Sequence, residues 1–198
     1  METLRCEVCG GDIRIEGKFG RCIYCKAQRS LPDALDDKKT RLFNSANEFR
    51  MKDEFDKAEE TFEEILKKYG SDAEAYWGVV LSKFGIEYVE DPKTYKRIPT
   101  CHRVQSESIL SDLDYKAALK YSTDGYTRFL YEQEAENIAK IQKNILVISN
   151  KEDPYDVFIC YKETDATGQR SVDSILAQEI YYRLEKENLK VFFSRISL

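Results

Sequence analysis

The chain has no long apolar run. Nothing in its 198 residues approaches the roughly 20 consecutive apolar positions that carry a helix across a bilayer, so no membrane span is expected. It also lacks the apolar stretch of a secretory signal, because Met1-Glu2-Thr3-Leu4-Arg5-Cys6 is too polar, and the chain reads as cytosolic. A basic excess is missing as well: 31 Lys and Arg stand against 36 Asp and Glu, for a formal charge of −5, so the electrostatic footprint of a nucleic-acid binder is absent. Residues 1–31 hold six Lys or Arg against four Asp or Glu, and the rest of the chain 25 against 32. Histidine occurs once, at His102 beside Cys101, within a polar, proline-marked stretch over 89–111 that reads as a long loop. With no third partner nearby in sequence, Cys101-His102 reads as an ordinary loop dipeptide and not as a ligand pair.

What the chain does have is cysteine at fixed spacing. Cys6-x-x-Cys9 and Cys22-x-x-Cys25 are two knuckles separated by twelve residues, close to the spacing of a four-cysteine zinc site. Gly10 and Gly11 follow the first knuckle, where the backbone needs a positive φ. Ile13, Ile15 and Phe19 alternate like a small hairpin whose apolar face covers the site. A disulfide framework is the competing reading, but a cytosolic-looking chain favours metal. Four thiolates close the coordination shell, so Zn2+ held by Cys6, Cys9, Cys22 and Cys25 is structural and supplies most of the folding free energy of this short segment. Whether the ribbon docks a protein, a nucleic acid or its own helical neighbour is open at this point.

After Leu31-Pro32 the pattern turns helical to about residue 149. Leu42, Phe43, Ala46 and Phe49 mark one helix face; Phe55, Ala58, Phe62, Ile65 and Leu66 mark a second, stopped by Gly70. Ser71-x-x-Glu74 predicts a capping box for a third helix through Tyr76, Trp77, Val80 and Phe84. Leu42, Ala46, Phe49, Phe55, Ala58 and Phe62 fit the roughly 34-residue tetratricopeptide (TPR) pattern, and Tyr76 lies 34 residues after Leu42, so the region resembles one TPR unit plus a helix. Tyr115, Ala118 and Leu119 predict a short helix. Tyr126, Phe129, Leu130, Ile138, Ile141, Ile145 and Ile148 predict a long one, ending at Lys151-Glu152-Asp153-Pro154.

Tyr155-Asp156-Val157-Phe158-Ile159-Cys160-Tyr161 and Val191-Phe192-Phe193-Ser194 are short unalternating apolar runs, as expected of strands buried on both faces of a parallel sheet. Between them Val172, Ile175, Leu176, Ile180 and Leu184 mark a helix face, with Ser171 as N-cap. The product is one βαβ crossover, too few layers to bury its own apolar faces, so residues 153–198 read as an interrupted α/β domain. Cys160 is expected to be buried in its strand.

These residues resemble the opening of a TIR (Toll/interleukin-1 receptor) domain. Residues 155–161 look like its first-strand motif, Lys162 to Arg170 like its first loop, and Lys190 to Arg195 like the second strand entering the BB loop. The likeness covers about the first third of such a domain, and the order of segments is similar to that of bacterial and prophage TIR proteins with an N-terminal zinc ribbon. The expected architecture is therefore multi-domain: a four-cysteine zinc ribbon over 1–31, an all-α TPR-like region over 36–150, and a partial flavodoxin-like βαβ segment over 153–198.

The resemblance implies that the intact protein cleaves NAD+ at the nicotinamide–ribose bond in bacterial defence or signalling, with self-association or other TIR domains as partners. It places the catalytic glutamate on a later helix, beyond Leu198, so this chain alone is expected to be inactive. Contacts in open α/β sheets come from loops at the carboxyl ends of strands, which makes Tyr161, Lys162, Arg170, Ser194 and Arg195 the candidate nucleotide-binding residues. The alternative is an adaptor without activity that binds protein partners through its ribbon and helices.

Overall fold

The computed structural model describes residues 3–17, 19–33, 36–151 and 154–197. Contacts divide the chain into two units, Met1–Leu146 and Val147–Leu198. The whole is mixed α/β, and among the described residues no helix is long and apolar enough to cross a membrane.

The first unit opens with three antiparallel strands, β1 (Ile13–Glu16), β2 (Phe19–Cys22) and β3 (Gln28–Arg29), in the order β1-β2-β3. Ile13 pairs with Cys22 and Ile15 with Gly20, so the two isoleucines share a face. Only Ile13 is buried; Ile15, nearer the turn, is exposed, so the expected apolar cover is half as wide as the alternation suggests.

Three helices follow: α1 (Asp37–Met51), α2 (Phe55–Tyr69) and α3 (Ala73–Lys83). Gly70 ends α2 as expected, with φ 84° and its N–H donated to Leu66 O. The cap of α3 lies one residue later than predicted. Asp72, not Ser71, accepts from the N–H groups of Glu74 and Ala75, because its carboxylate is held there by Lys39 Nζ at 2.6 Å.

The expected loop after α3 is largely a hairpin, β4 (Ile86–Glu90) paired antiparallel with β5 (Arg97–Cys101). Ile86 and Tyr88 point into the core. Pro99 is tolerated because a two-stranded ribbon consists only of edge strands. Asp91 shapes the turn by accepting from Lys93 N at 2.9 Å and Thr94 Oγ1 at 2.6 Å. A short 3-10 turn at Ile109–Ser111 then leads to α4 (Leu113–Tyr121) and α5 (Gly125–Ser149).

The buried stripe of α5 is Thr127, Tyr131, Ala135, Ile138 and Gln142, which shares only Ile138 with the predicted face. Gln142 displaces an aliphatic residue because it satisfies a buried loop. Its Nε2 donates to Gln105 O at 2.7 Å and Glu107 O at 2.6 Å, and its Oε1 accepts from Ile109 N at 3.2 Å. Of the predicted stop, Glu152 and Asp153 lie outside the described residues, as does Leu198.

Leu4, Val8 and Ile13 of the ribbon belong to the same buried cluster as Phe43, Phe62, Trp77 and Ile138. The ribbon thus docks on its own helical neighbour. Arg50 fastens the join: 1 % exposed, it donates to Ile86 O at 2.6 Å and to Glu7 O, and its guanidinium lies 5.4 Å from the Tyr88 ring centre. Its place could have been read from α1, since Phe43, Asn47 and Arg50 share one helical face and all three are buried.

In the second unit β6 (Val157–Phe158) and β7 (Val191–Phe192) are parallel and joined through α6 (Val172–Lys186), with a last turn of helix, α7 (Ser194–Ser197). Ser171 caps α6 as predicted, accepting from Ser174 N. The strands are shorter than the apolar runs, and they are not buried on both faces. Val191 and Phe193 pack with Ala177 and Tyr181 of α6, while Phe158 on the other face is 66 % exposed and stacks on Phe192 at 4.8 Å. Cys160 is exposed too, counter to expectation. So is most of the predicted face of α6: Val172, Ile175, Leu176 and Ile180 are exposed, and the helix instead buries Ser174, Ala177 and Tyr181.

Candidate metal centre

The first knuckle turns back on itself through Gly10 N–H donating to Cys6 O at 2.8 Å and Cys6 N–H donating to Gly11 O at 2.7 Å. Gly10 has φ 73°, and Lys26, in the same place after the second knuckle, has φ 63°. Both knuckles therefore use one left-handed residue just after their second cysteine. Glycine takes that conformation freely, whereas Lys26 takes it with its Nζ donated to Ile23 O at 2.6 Å.

The two turns bring four sulfurs together. Cys6 Sγ lies 3.8 Å from Cys25 Sγ, Cys9 Sγ lies 3.4 Å from Cys22 Sγ, and all four fall within 4.8 Å of one another. All are free thiols, so the disulfide reading fails. Ligands about 2.3 Å from a tetrahedral zinc stand about 3.8 Å apart, and the cluster fits that frame. Cys6 and Cys22 are buried and Cys9 and Cys25 are half-buried, which leaves the cluster little exposed to solvent.

Burial pushes the thiols of Cys6 and Cys25 up. Burial acts on Cys22 in the same sense, but N–H groups of Tyr24 and Cys25 directed at its sulfur draw it down to about 7. Cys22 thus loses its proton more readily than Cys6 or Cys25 near neutrality. A bound divalent ion would favour the thiolate at all four positions.

A polar seam joins this ribbon to the helices. Arg29 of β3 is paired with Glu134 of α5 at 2.7 Å and with Glu7 at 3.2 Å. Beside it, Glu74 accepts from Ser30 Oγ and from Tyr131 Oη at 2.6 Å. Burial and the charge of Glu7 push the Glu74 carboxyl up to about 8, against the pull of those two donors. Its ordinary value is 4.5, so between roughly pH 5 and 8 the unfolded chain releases this proton while the folded chain keeps it. Stability attributable to Glu74 is therefore lost as pH rises through that window. Metal-loaded Glu74→Gln protein should show a melting temperature less dependent on pH from 5 to 8 than the parent, and the stability difference should shift progressively in the variant's favour towards pH 8. Parallel pH profiles for the two proteins would refute this.

In the second unit, three of the five candidate nucleotide-site residues come together. Tyr161 Oη lies 3.0 Å from Ser194 Oγ and donates to Glu163 at 2.7 Å, and Arg195 pairs with Glu163 at 3.1 Å. Glu163, not singled out from sequence, is the hub of this group. Arg170 turns instead to α6, where it bonds Ser174 Oγ at 2.7 Å and Gln178 Oε1 at 2.5 Å. Lys162 is exposed, and its carbonyl accepts from Ser171 Oγ.

No protein-family model, curated protein or solved structure matches this chain. The four-cysteine cluster stands on its own geometry.

Proposed function

We propose that the cluster binds zinc as a structural ion, and that the chain is the front part of a cytoplasmic TIR-type protein whose complete α/β domain cleaves NAD+. Zinc is favoured by four thiolates at tetrahedral spacing, a ligand set that suits a soft-tolerant ion with no redox demand. With its shell closed by protein, such an ion does no chemistry on substrate.

The observation that carries the TIR reading is the second unit's uncovered apolar surface. A parallel β6–β7 pair with one crossover helix leaves Phe158 exposed on the sheet and Val172, Ile175, Leu176 and Ile180 exposed on α6. A doubly wound sheet covers such surfaces with further strands and helices. The Tyr161, Glu163, Ser194 and Arg195 group lies past the carboxyl ends of both strands, where open α/β sheets bind ligands, and this supports a role in nucleotide contact.

The test is to read the gene past the Leu198 codon and assay the encoded protein for nicotinamide release from NAD+. Release by that protein, with none from the 198 residues alone, is the expected result. A frame that encodes no further strand and helix pattern, or a longer protein that leaves NAD+ intact, overturns the enzymatic reading. The second reading is an adaptor. It is favoured by an open cleft of about 870 Å3 between the ribbon and the tip of the β4–β5 hairpin, lined among others by Tyr24, Lys26, Tyr95 and Arg97. Tyrosine and arginine, present here as Tyr24, Tyr95 and Arg97, are enriched at protein interfaces.

A further inference from the structure

In the sequence Cys101-His102 has no third partner; in the fold Glu87, Asp53 and, at 3.4 Å from its Nε2, Thr100 Oγ1 gather around His102. His102 leaves β5 with its N–H donated to Gly85 O at 2.9 Å. Gly85 has φ 59°, and a Cβ there would meet Arg103 N at 2.9 Å, so glycine is what allows this close approach. Across the hairpin, Glu87 of β4 reaches His102 Nε2 with its Oε2 at 3.0 Å. Asp53 arrives from the turn between α1 and α2, and ligand atoms of the three residues lie within 4.8 Å of one another. The neighbouring cation does not serve this group: Arg103 is paired with Asp56 at 2.8 Å and lies over the Phe55 ring. Phe55 also backs the His102 ring, with centres 5.8 Å apart.

We propose that Asp53, Glu87 and His102 form a second metal site, for a divalent transition-metal ion that accepts mixed oxygen and nitrogen ligands. Two carboxylates and one imidazole match the charge of such an ion, and the set is chemically unlike the four thiolates of the ribbon, so the two sites select differently. The Glu87–His102 separation already equals the edge of an octahedral shell, since ligands about 2.1 Å from the ion and at right angles stand about 3.0 Å apart. Asp53, exposed on its turn, offers the third ligand atom, within 4.8 Å of the other two. Cys101 is not a member: its Sγ points away and donates to Phe84 O at 3.3 Å. Three protein ligands leave open positions for water or an oxygen-bearing ligand.

The experiment uses the tag-free full chain with its cysteine site filled by zinc, titrated with Mn2+. One further ion per chain should bind, read by calorimetry and by loss of the free Mn2+ resonance signal. His102 is the single histidine, so its ring-proton resonances should broaden selectively during the titration. Glu87→Gln and His102→Ala should each weaken the additional binding about tenfold or more, and Cys101→Ser should leave it unchanged. If either variant departs from the parent's circular dichroism, Asp53→Asn on the exposed turn gives the same reading. Absence of saturable Mn2+ binding up to millimolar concentration overturns the site, as does binding that persists undiminished in the folded variants or leaves the His102 resonances sharp.

Discussion

Stripping a bound ion from Cys6, Cys9, Cys22 and Cys25 is expected to lower the melting temperature of residues 1–146 by about 10 °C or more. Leu4, Val8 and Ile13 are held in place by the knuckles and pack in one cluster with Phe43, Phe62 and Trp77. A ribbon of about 30 residues has no core that would hold it without metal, so losing the ion releases those side chains and opens the helical surface they cover. Structural zinc contributes about 10–16 kcal/mol in isolated finger peptides, most of it used to fold the finger itself. If about 3–5 kcal/mol of that reaches the helical core, a unit of this size loses about 10 °C or more. Trp77, the single tryptophan and 1 % exposed, reports the transition by fluorescence. Chelation should shift its melting curve, and added zinc should restore it. An unchanged curve after verified metal loss would show that the helices do not depend on the ribbon.

Asp72→Ala is expected to destabilise the same unit by about 4 kcal/mol. One carboxylate does three jobs there. Its Oδ1 accepts from Glu74 N at 2.9 Å and Ala75 N at 3.2 Å, capping α3. Its Oδ2 accepts from Asp33 N at 3.1 Å and pairs with Lys39 Nζ at 2.6 Å, where both side chains are almost fully buried. Loss of a cap costs about 1 kcal/mol, and stranding a buried ammonium costs about 3–5 kcal/mol in comparable pairs, with partial relaxation absorbing some of the sum. A double-mutant cycle with Lys39→Met separates the two. The double variant should recover the stranded-charge part and keep the cap deficit. Denaturant melts showing the single and double variants equally unstable would refute the buried-charge account.

Legibility in the sequence followed how tightly chemistry dictates a residue. A tetrahedral thiolate site demands cysteines at short fixed spacing, so Cys6, Cys9, Cys22 and Cys25 could be picked out before any fold was known. α1, α2 and α3 were legible because Phe43 and Ala46, Ala58 and Phe62, and Trp77 and Val80 recur at helical spacing and are indeed buried. The β4–β5 hairpin was not, because Pro92 and Pro99 read as breakers and the brief Ile86/Tyr88 alternation lies just before them. α6 was recognised as a helix but with the wrong face inward. Periodicity reveals that Val172, Ile175, Leu176 and Ile180 share a side; it does not say whether a partner is there to cover them. The Asp53, Glu87 and His102 group was invisible for another reason: its members are 34 and 15 residues apart and meet only because a hairpin and an interhelical turn converge.

The second unit is one helix laid on one strand pair, with greasy outsides in two opposite directions. α6 covers one side of β6–β7 through Ala177 and Tyr181, and its aliphatic stripe looks away from the strands. Phe158 and Phe192 stack on the reverse side. No flat body can shield both at once. Full protection from water requires two separate neighbours, one per side, or one that wraps around an edge, and whichever arrives first leaves the other side still adhesive.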